Sequence, residues 1–310
     1  MFHYLVILLD DTSTSYCHAD NPYVERNLMP IDTLRKAFMF ALKSNMNVQL
    51  VYPDYELPDI YKEAIFEIDH INIVPAELTT DADVVVLNSI HQTFEGSSTN
   101  IIIRDKFCNI VSSYEQLVSL ICENTNFSIV IKDIDLIKKE ELIEYQTLLN
   151  NLETLISDSI VKGKTLQLSN ITDRLTLSKM RNCNAGWRSI TLAPNGNFYI
   201  CPAFFYENTK NHIGDLDKGI CIKNERLYKL SYAPLCSICD CYQCKRCVWL
   251  NKRLTYEINT PSHNQCVLSH YERNASKKLL DNIRQHGEYL NGIDISEINY
   301  IDPIEIFNKS

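Results

Sequence analysis

The sequence predicts an α/β protein, built as an open or partial (β/α) barrel or as a doubly wound sheet, with a separate cysteine-rich region after it. In the first half, apolar runs of strand length alternate with segments of helical spacing. In the second half, the cysteines crowd together. The chain has 310 residues, of which 45% are hydrophobic, so it can form one large domain or two ordinary ones.

The predicted strands are apolar along their whole length, which is typical of parallel strands that are covered on both faces. They occupy residues 3–9, 47–53, 71–75, 83–89, 127–133 and 165–169. Helices are predicted between most of them, over residues 31–45, 56–68, 113–124 and 138–159. In the first helix, Leu34, Phe38 and Ala41 recur at helical spacing. The alternation predicts five or six βα units.

The second half of the chain predicts a different kind of structure. Residues 189–201 form two short predicted strands around Asn195-Gly196, a dipeptide typical of hairpins. A short helix is predicted over residues 225–232 and a long one over residues 266–285, and the tail at 291–310 is expected to pack back on the body. We therefore expect three parts: a barrel (1–178), a cysteine-rich metal domain (179–268), and a C-terminal helix and tail (269–310).

Charge and hydropathy restrict the classes of function. The net charge is −9 and the pI is near 5.4, so nucleic acid is not expected as a partner. The apolar run before Asp10 is too short for a signal peptide, and no later segment has the length of a membrane span. We expect a cytoplasmic protein with no membrane contact. Its thiols then stay reduced, and a cysteine-dense segment there binds metal more often than it forms disulfides.

Nine of the twelve cysteines lie between Cys183 and Cys266, and the segment CSICDCYQCKRC (236–247) alone holds five. Overlapping CxxC pairs let two sulfurs from one tight turn reach the same metal centre. The candidate metal ligands are Cys183, Cys201, Cys221, Cys236, Cys239, Cys241, Cys244, Cys247 and Cys266. This number suits two four-ligand sites, and both tetrahedral zinc and [4Fe–4S] clusters satisfy the spacing.

The cysteine-rich region is locally basic. Residues 201–285 contain thirteen Lys/Arg and eight Asp/Glu, an excess of +5 (13 − 8). One interpretation is a solvated basic surface. The other is that cations such as Lys245 and Arg246 offset the negative charge of thiolate-bound metal centres.

The run NCNAGWRSITLAPNGNFYICPAFF (182–205), with the clustered cysteines and an isolated Cys266, resembles the SPASM domain. That domain follows the partial barrel of radical-SAM peptide maturases and holds auxiliary iron–sulfur clusters, so the resemblance implies two [4Fe–4S] clusters here. By analogy, Cys236, Cys239, Cys244 and Cys266 would hold one cluster; Cys183, Cys201 and Cys247 would hold the other, with Cys221 or Cys241 as its fourth ligand. The spacing CxxC-x-CxxC-xxC departs from the usual pattern, so these assignments depend on the analogy.

A radical-SAM barrel also needs CxxxCxxC after its first strand, because three thiolates leave one iron free to bind SAM. Here the corresponding run is LDDTSTSYC (9–17), in which Asp10 and Thr14 occupy two of the three positions and only Cys17 is a thiol. The glycine-rich stretch expected after the second strand is replaced by VYPDYELP (51–58). We therefore expect no SAM binding and no autonomous radical-SAM activity.

Over the whole chain, the sequence resembles the family called CXXX repeat peptide maturase. The runs LDDTSTSYCHADNP (9–22) and VYPDYELP, and the cysteine segment through SHNQC (262–266), carry this resemblance. It implies an iron–sulfur accessory protein that handles a ribosomal precursor peptide with Cys-x-x-x repeats beside a separate radical-SAM enzyme. Asp10, Asp11, Cys17 and Asp54 are expected to face the peptide. The alternatives are an enzyme that uses Cys17, a zinc-binding scaffold and a nucleic-acid-binding protein.

Overall fold

The structure is a computed structural model that describes residues 2–78, 82–94, 100–123, 126–164, 166–180, 183–287 and 295. Its described strands form a nine-stranded sheet in the order β7-β6-β5-β4-β3-β2-β1-β8-β9. The strands are β1 (Tyr4–Leu8), β2 (Asn47–Val51), β3 (His70–Pro75), β4 (Val84–Leu87), β5 (Asn100–Asp105), β6 (Asn126–Ile131), β7 (Gln167–Leu168), β8 (Ser189–Leu192) and β9 (Phe198–Tyr199).

Helices connect most of these strands and follow the last of them. They are α1 (Ile31–Lys43), α2 (Asp59–Phe66), α3 (Phe107–Ser112), α4 (Tyr114–Glu123), α5 (Leu142–Val161), α6 (Ser169–Thr176), α7 (Pro202–Glu207), α8 (Val248–Thr255) and α9 (His263–Arg284). A short hairpin of β10 (Gly214–Asp215) and β11 (Gly219–Ile220) lies between α7 and the cysteine-rich loop. None of the described helices combines the length and the apolar character that crossing a membrane requires.

The first seven strands are parallel, and each pairs with the next one along the chain. This single direction of winding is that of a partial barrel, whereas a doubly wound sheet reverses its strand order after a few strands. The two edge strands of the sheet are β7 and β9, and they do not pair with each other, so the described strands do not close a barrel. All seven carboxyl ends meet at one edge, which is where α/β proteins bind ligands.

The first strand shows why the apolar runs are continuous. On one face of β1, Val6 and Leu8 join the larger core; on the other face, Leu5 and Ile7 join a second core. That second core includes the buried side of α1. Because both faces of β1 are covered, a polar side chain on either face would be buried without water, which is why the strand is apolar along its length.

Several short elements differ from the expectation. The strand β5, the hairpin of β10 and β11, and the helices α3, α6, α7 and α8 were not predicted, and each of these strands and helices has eight residues or fewer. The helix predicted over residues 225–232 consists instead of two separate 3-10 turns. The predicted tail at 291–310 lies outside the described residues, except for the buried Ile295.

The predicted hairpin forms and continues the barrel sheet. Strand β8 runs parallel to β1, and β9 turns back antiparallel to β8. Helix α9 also reaches the barrel, since the hydroxyl of Ser276 donates to the Ile171 carbonyl of α6. The hairpin of the cysteine-rich region and the C-terminal helix are therefore each joined to the barrel, while the division near residue 178 stays a prediction.

Gly186, just before β8, provides a test of the packing under this hairpin. Its φ is +73°, and a Cβ there would lie 2.6 Å from the ring of Tyr228. Gly163 has a similar φ of +78°, but a Cβ there would meet nothing within 4 Å. We expect Gly186→Ala to lower the free energy of unfolding by about 3 kcal/mol and Gly163→Ala by only about 1 kcal/mol, as measured by urea denaturation. Equal losses would show that the contact with Tyr228 adds nothing to the backbone strain.

Candidate metal centres and barrel mouth

The loop after β1, residues 9–22, folds into the mouth of the barrel and uses its own polar groups. The carboxylate of Asp10 accepts hydrogen bonds from the Thr12 amide and from the Tyr55 hydroxyl, both at 2.8 Å. Asp10 is fully buried, and the Ser13 hydroxyl donates to the Val51 carbonyl at 2.8 Å. The Asp10 carboxylate thus shapes the loop rather than lining its surface, and the expectation that the mouth near Asp10 faces a peptide stays a prediction.

A buried arginine fastens the same loop to the middle of the sheet. Arg104 of β5 donates from Nε to the Cys17 carbonyl at 2.7 Å and from Nη2 to the Ala19 carbonyl at 2.8 Å. Nη2 also contacts Asp20 at 3.0 Å, and Nη1 donates to Asn88 at 2.6 Å. Only 3% of the Arg104 side chain is exposed. The fork of the guanidinium therefore fixes the position of Cys17.

One group of thiols gathers where this loop meets the second half of the chain. Its members are Cys17, Cys183, Cys201 and Cys247, hereafter the first thiol set. Cys17 interacts electrostatically with each of the other three. Burial raises the pKa of Cys201 and Cys247, since each thiolate would lose its hydration there. Cys183 is exposed as a residue, but loss of hydration around its thiol raises its pKa as well.

Helix α7 holds two of these cysteines in place. Cys201 precedes its first turn, and the helix packs against the first loop through a ring stack of Phe205 on Tyr23 at 4.9 Å. The Tyr206 hydroxyl donates to the Ser13 carbonyl at 3.4 Å. The loop that carries Cys17 and the helix that follows Cys201 are thus joined by direct contacts.

A second group of thiols lies in the cysteine-rich loop itself. Its members are Cys236, Cys239, Cys241 and Cys244, hereafter the second thiol set, and each interacts with at least one other member. Burial raises the pKa of Cys244 to about 12. A hydrogen bond from the Cys241 thiol and a second contact with His270 lower the pKa of Cys239, which favours its thiolate.

His270 of α9 adds a nitrogen to the second set. Its Nε2 lies 3.9 Å from the Cys239 sulfur, while its Nδ1 contacts the Cys266 carbonyl one turn earlier. The donor atoms of Cys239, Cys241 and His270 all lie within 4.8 Å of one another, as metal ligands do. A proton on Nδ1, donated to the carbonyl, would turn the Nε2 lone pair toward the sulfurs, as in metal-binding histidines.

The structure does not bring Cys221 to either set. Cys221 is exposed after β11, and no electrostatic interaction joins its thiol to another cysteine in the described part of the chain. Cys108 and Cys122, which were never candidate ligands, are also exposed. Cys266 lies on α9 beside the second set, at an intermediate depth.

The two cations at the centre of the loop lie between the thiol sets. Lys245 is half-buried, donates from Nζ to the Ser128 hydroxyl at 2.7 Å, and interacts with Cys17 and Cys183. Arg246 interacts with Cys236, Cys183 and Cys244. Its Nε is buried with no hydrogen-bond partner among the described residues. Buried thiols beside such cations fit a thiolate-ligated metal centre, whose negative charge the cations offset.

A cavity of about 590 Å³ opens at the carboxyl ends of the strands. Its wall includes residues of the loop after β1 and polar residues at or just beyond the carboxyl ends of β2 to β6. The charged side chains that line it are Asp20, Arg26, Asp54, Glu77, Arg104 and Lys132. Of the residues expected to face a peptide, Asp54 lines this cavity. The mixture of both charges suits a polar, extended ligand.

The sequence did not identify Cys17 as a metal ligand. It offered Cys17 as the remnant of a SAM-binding loop, as a residue facing a peptide or as the reactive group of an enzyme, and it offered His270 only as a replacement for a thiolate beside Cys266. The motifs do not show that the first loop contacts the second half of the chain. In the structure, Phe205 stacks on Tyr23 and the Tyr206 hydroxyl donates to the Ser13 carbonyl, so helix α7, which follows Cys201, packs against the loop that carries Cys17.

Two solved structures show the same architecture. One is native anSMEcpe with bound AdoMet, which has a TM-score of 0.63 and 13% sequence identity, covering 91% of this chain and 99% of that chain. The other is native anSMEcpe with bound AdoMet and the Cp18Cys peptide, with a TM-score of 0.63 and 13% identity, covering 92% and 100%. No protein-family model matches the sequence, and no curated protein matches it.

At such low identity, this likeness shows the fold alone. The chain has a radical-SAM/SPASM-like α/β fold, with a mostly parallel sheet and a cysteine-rich C-terminal region, which confirms the predicted fold class. The resemblance to the CXXX repeat peptide maturase family stays a prediction.

Proposed function

We propose that this protein is an iron–sulfur accessory maturase, which handles a precursor peptide with Cys-x-x-x repeats beside a separate radical-SAM enzyme. The main support is that the chain combines a radical-SAM/SPASM-like fold and clustered cysteines with a first loop that lacks the thiols of a SAM-binding cluster. The radical-SAM/SPASM-like architecture is kept, eight cysteines form the two thiol sets, and Cys266 adjoins the second. Yet the first loop has one thiol where a SAM-binding cluster needs three.

The donor chemistry of both sets fits iron–sulfur clusters. Cys183, Cys201 and Cys247 would hold one cluster, and Cys236, Cys239, Cys244 and Cys266 the other. Clusters bound in this way supply electron transfer, a rigid cross-link, or an anchor for a substrate thiol. The chain contributes Lys245 and Arg246, which stabilise the anionic centres, and apolar packing that limits water around the thiols.

The barrel mouth would bind the peptide. Its cavity offers carboxylates at Asp54 and Glu77 and cations at Arg26 and Lys132, so both amide groups and charged side chains of a peptide find partners. Arg26 is also placed over the ring of Tyr55 at 4.3 Å. A double variant, Arg26→Ala with Lys132→Ala, is expected to weaken the binding of a Cys-repeat peptide about tenfold or more, as measured by fluorescence anisotropy.

Two controls accompany this binding experiment. Arg35 and Lys36, exposed cations on α1 that do not line the cavity, provide a matched double alanine variant that removes the same charge. Equal weakening by both double variants would show that only net charge matters. Crosslinks from the peptide that map only to the outer helices α1 and α2 would exclude the mouth.

The chain alone is expected not to cleave SAM. Asp10 and Thr14 offer no thiolate, and the Asp10 carboxylate is already hydrogen-bonded within the loop. Anaerobically reconstituted protein should hold about eight irons, the content of two cubane clusters, rather than about twelve. With dithionite and SAM it should release no 5′-deoxyadenosine above a protein-free control. Release that persists in Cys17→Ala would instead place the chemistry at a cluster of the cysteine-rich region.

A zinc-binding scaffold is the second candidate. The group of Cys239, Cys241 and His270 combines sulfur and nitrogen donors, a set that structural zinc sites use. The two candidates differ in colour. A brown protein that absorbs near 400 nm after anaerobic purification supports the maturase, whereas a colourless protein with about two zinc ions per chain supports the scaffold.

A further inference from the structure

We infer that Cys17 is the fourth ligand of the metal centre formed by Cys183, Cys201 and Cys247, so that the loop after β1 is clamped to the cysteine-rich region. This inference rests on the proposed function only for the identity of the metal. The loop position that a SAM-dependent barrel uses for its own cluster would here complete a cluster of another region.

The geometry of four separate segments supports this assignment. Cys17 lies after β1, Cys183 before β8, Cys201 before α7, and Cys247 immediately before α8. Cys247 is a buried member of the larger core, and Cys17 and Cys201 pack against that same core. Direct contacts of Phe205 with Tyr23 and of Tyr206 with Ser13 join the helix after Cys201 to the loop of Cys17. Each of the three other thiols also interacts electrostatically with Cys17, so the four lie in one region although they are far apart in sequence.

The other two candidates for the fourth ligand are poorly placed. Cys221 is exposed on the short hairpin and interacts with no other cysteine in the described ranges. Cys241 is buried in the second thiol set, where its thiol donates to Cys239 and interacts with Cys244. Cys17 is the one described cysteine that lies within the first thiol set and that the resemblance assigns to no cluster.

The first loop is built to keep Cys17 in this position. Arg104 donates to its carbonyl at 2.7 Å, and the Ser15 hydroxyl lies 3.6 Å from its sulfur. Helices α7 and α8, which follow Cys201 and Cys247, are joined by the ion pair of Lys252 with Glu207 at 3.0 Å. A ligand that is held by its neighbours before the metal arrives loses little conformational freedom on binding.

A metal bound by Cys17 would affect the structure of the barrel mouth. The loop that carries Cys17 also forms the wall of the cavity from Thr12 to Ser15. A bond from Cys17 to the metal would therefore fix that wall relative to the cysteine-rich region. Removing this one ligand should loosen the mouth, even though the second thiol set is untouched.

The test compares Cys17→Ala with Cys221→Ala and Cys108→Ala in anaerobically reconstituted full-length protein. Iron and acid-labile sulfide are counted, and EPR spectra are recorded after dithionite reduction and after mild oxidation. The parent, Cys221→Ala and Cys108→Ala should each hold about eight irons. Cys17→Ala should hold about four, or about seven with the EPR signal of a three-iron cluster. Eight irons with the parent's spectra in Cys17→Ala would overturn the inference, as would loss of a cluster only in Cys221→Ala.

A second measurement needs no variant and so does not depend on folding of Cys17→Ala. Iodoacetamide labelling of the loaded parent, followed by peptide mass spectrometry, should modify Cys221 and spare Cys17; after chelation, Cys17 should become reactive. Labelling of Cys17 at the rate of Cys221 in loaded protein would contradict the assignment. A parent with about two zinc ions and no iron would refute the proposed function yet leave this inference testable, because Cys17→Ala should then hold about one zinc. A parent that binds no metal would refute both.

Discussion

Replacing Cys236 with serine is expected to release metal from the second thiol set and to unfold the loop of residues 236–247. The described loop has no strand or α-helix, and its only regular element is the 3-10 turn Cys236–Ile238. The small core beside it has just two other fully buried members, Met180 and Ala233. With so little apolar burial, the conformation of the loop depends on its ligands, as it does in small metal-binding domains.

The expected loss is large because binding and folding are the same event in such a loop. Apparent binding free energies of structural zinc sites reach roughly 10–16 kcal/mol, and a serine hydroxyl replaces a thiolate poorly. Cys236→Ser should therefore lose about half of the bound metal, and limited proteolysis should cut within residues 236–247. Cys266→Ser should behave in the same way if Cys266 completes the set.

Matched controls come from the exposed cysteines of the barrel. Cys108 lies on α3 and Cys122 on α4, and both are exposed. Cys108→Ser and Cys122→Ser should keep the full metal content and change the free energy of unfolding by less than about 0.5 kcal/mol. Full metal content and an unchanged melting temperature in Cys236→Ser would remove the second set from the list of metal centres.

Much of the fold followed from the sequence because local patterns determine it. Six strands and four helices of the barrel gave clear periodicity, and the Asn195-Gly196 turn predicted the hairpin. Strand β5 escaped notice because its apolar run is short and ends in Arg104 and Asp105, which are ordinarily surface residues. In the structure both side chains are buried, and each is hydrogen-bonded to another segment: Arg104 to the Cys17 carbonyl and Asp105 to the Ile90 amide. The sequence pattern does not show these contacts.

The candidate site was less predictable than the fold. Cysteine density alone indicated metal, and the prediction that Lys245 and Arg246 lie beside the thiols agrees with their positions. The grouping of the thiols depends instead on tertiary contacts. Cys17 and Cys201 are distant in sequence, and contacts of Phe205 with Tyr23 and of Tyr206 with Ser13 hold the helix that follows Cys201 against the first loop. Spacing rules apply within one turn or loop, so they could suggest Cys221 but could not suggest Cys17.

Replacing Arg104 with methionine is expected to be the most destabilising single change in the barrel. Methionine fills much of the same volume but cannot donate, so the Cys17 carbonyl, the Ala19 carbonyl and the Asn88 side chain each lose a partner. An unsatisfied buried acceptor costs about 1–3 kcal/mol. Since water entering from the mouth will satisfy some of them, we expect the free energy of unfolding to fall by about 3 to 5 kcal/mol in urea denaturation.

Two further variants separate the fork of hydrogen bonds from the charge. Asp20 is 69% exposed, so Asp20→Asn removes the ion pair with Arg104 but should cost less than about 1 kcal/mol. Arg104→Lys keeps the charge but cannot reach three acceptors from one ammonium, so it should recover only a small part of the loss. If Arg104→Lys matched the parent, charge rather than hydrogen-bond geometry would hold the loop. In metal-free protein, Arg104→Met should also raise the rate at which iodoacetamide labels Cys17, because the loop that carries this thiol would no longer be fastened to β5.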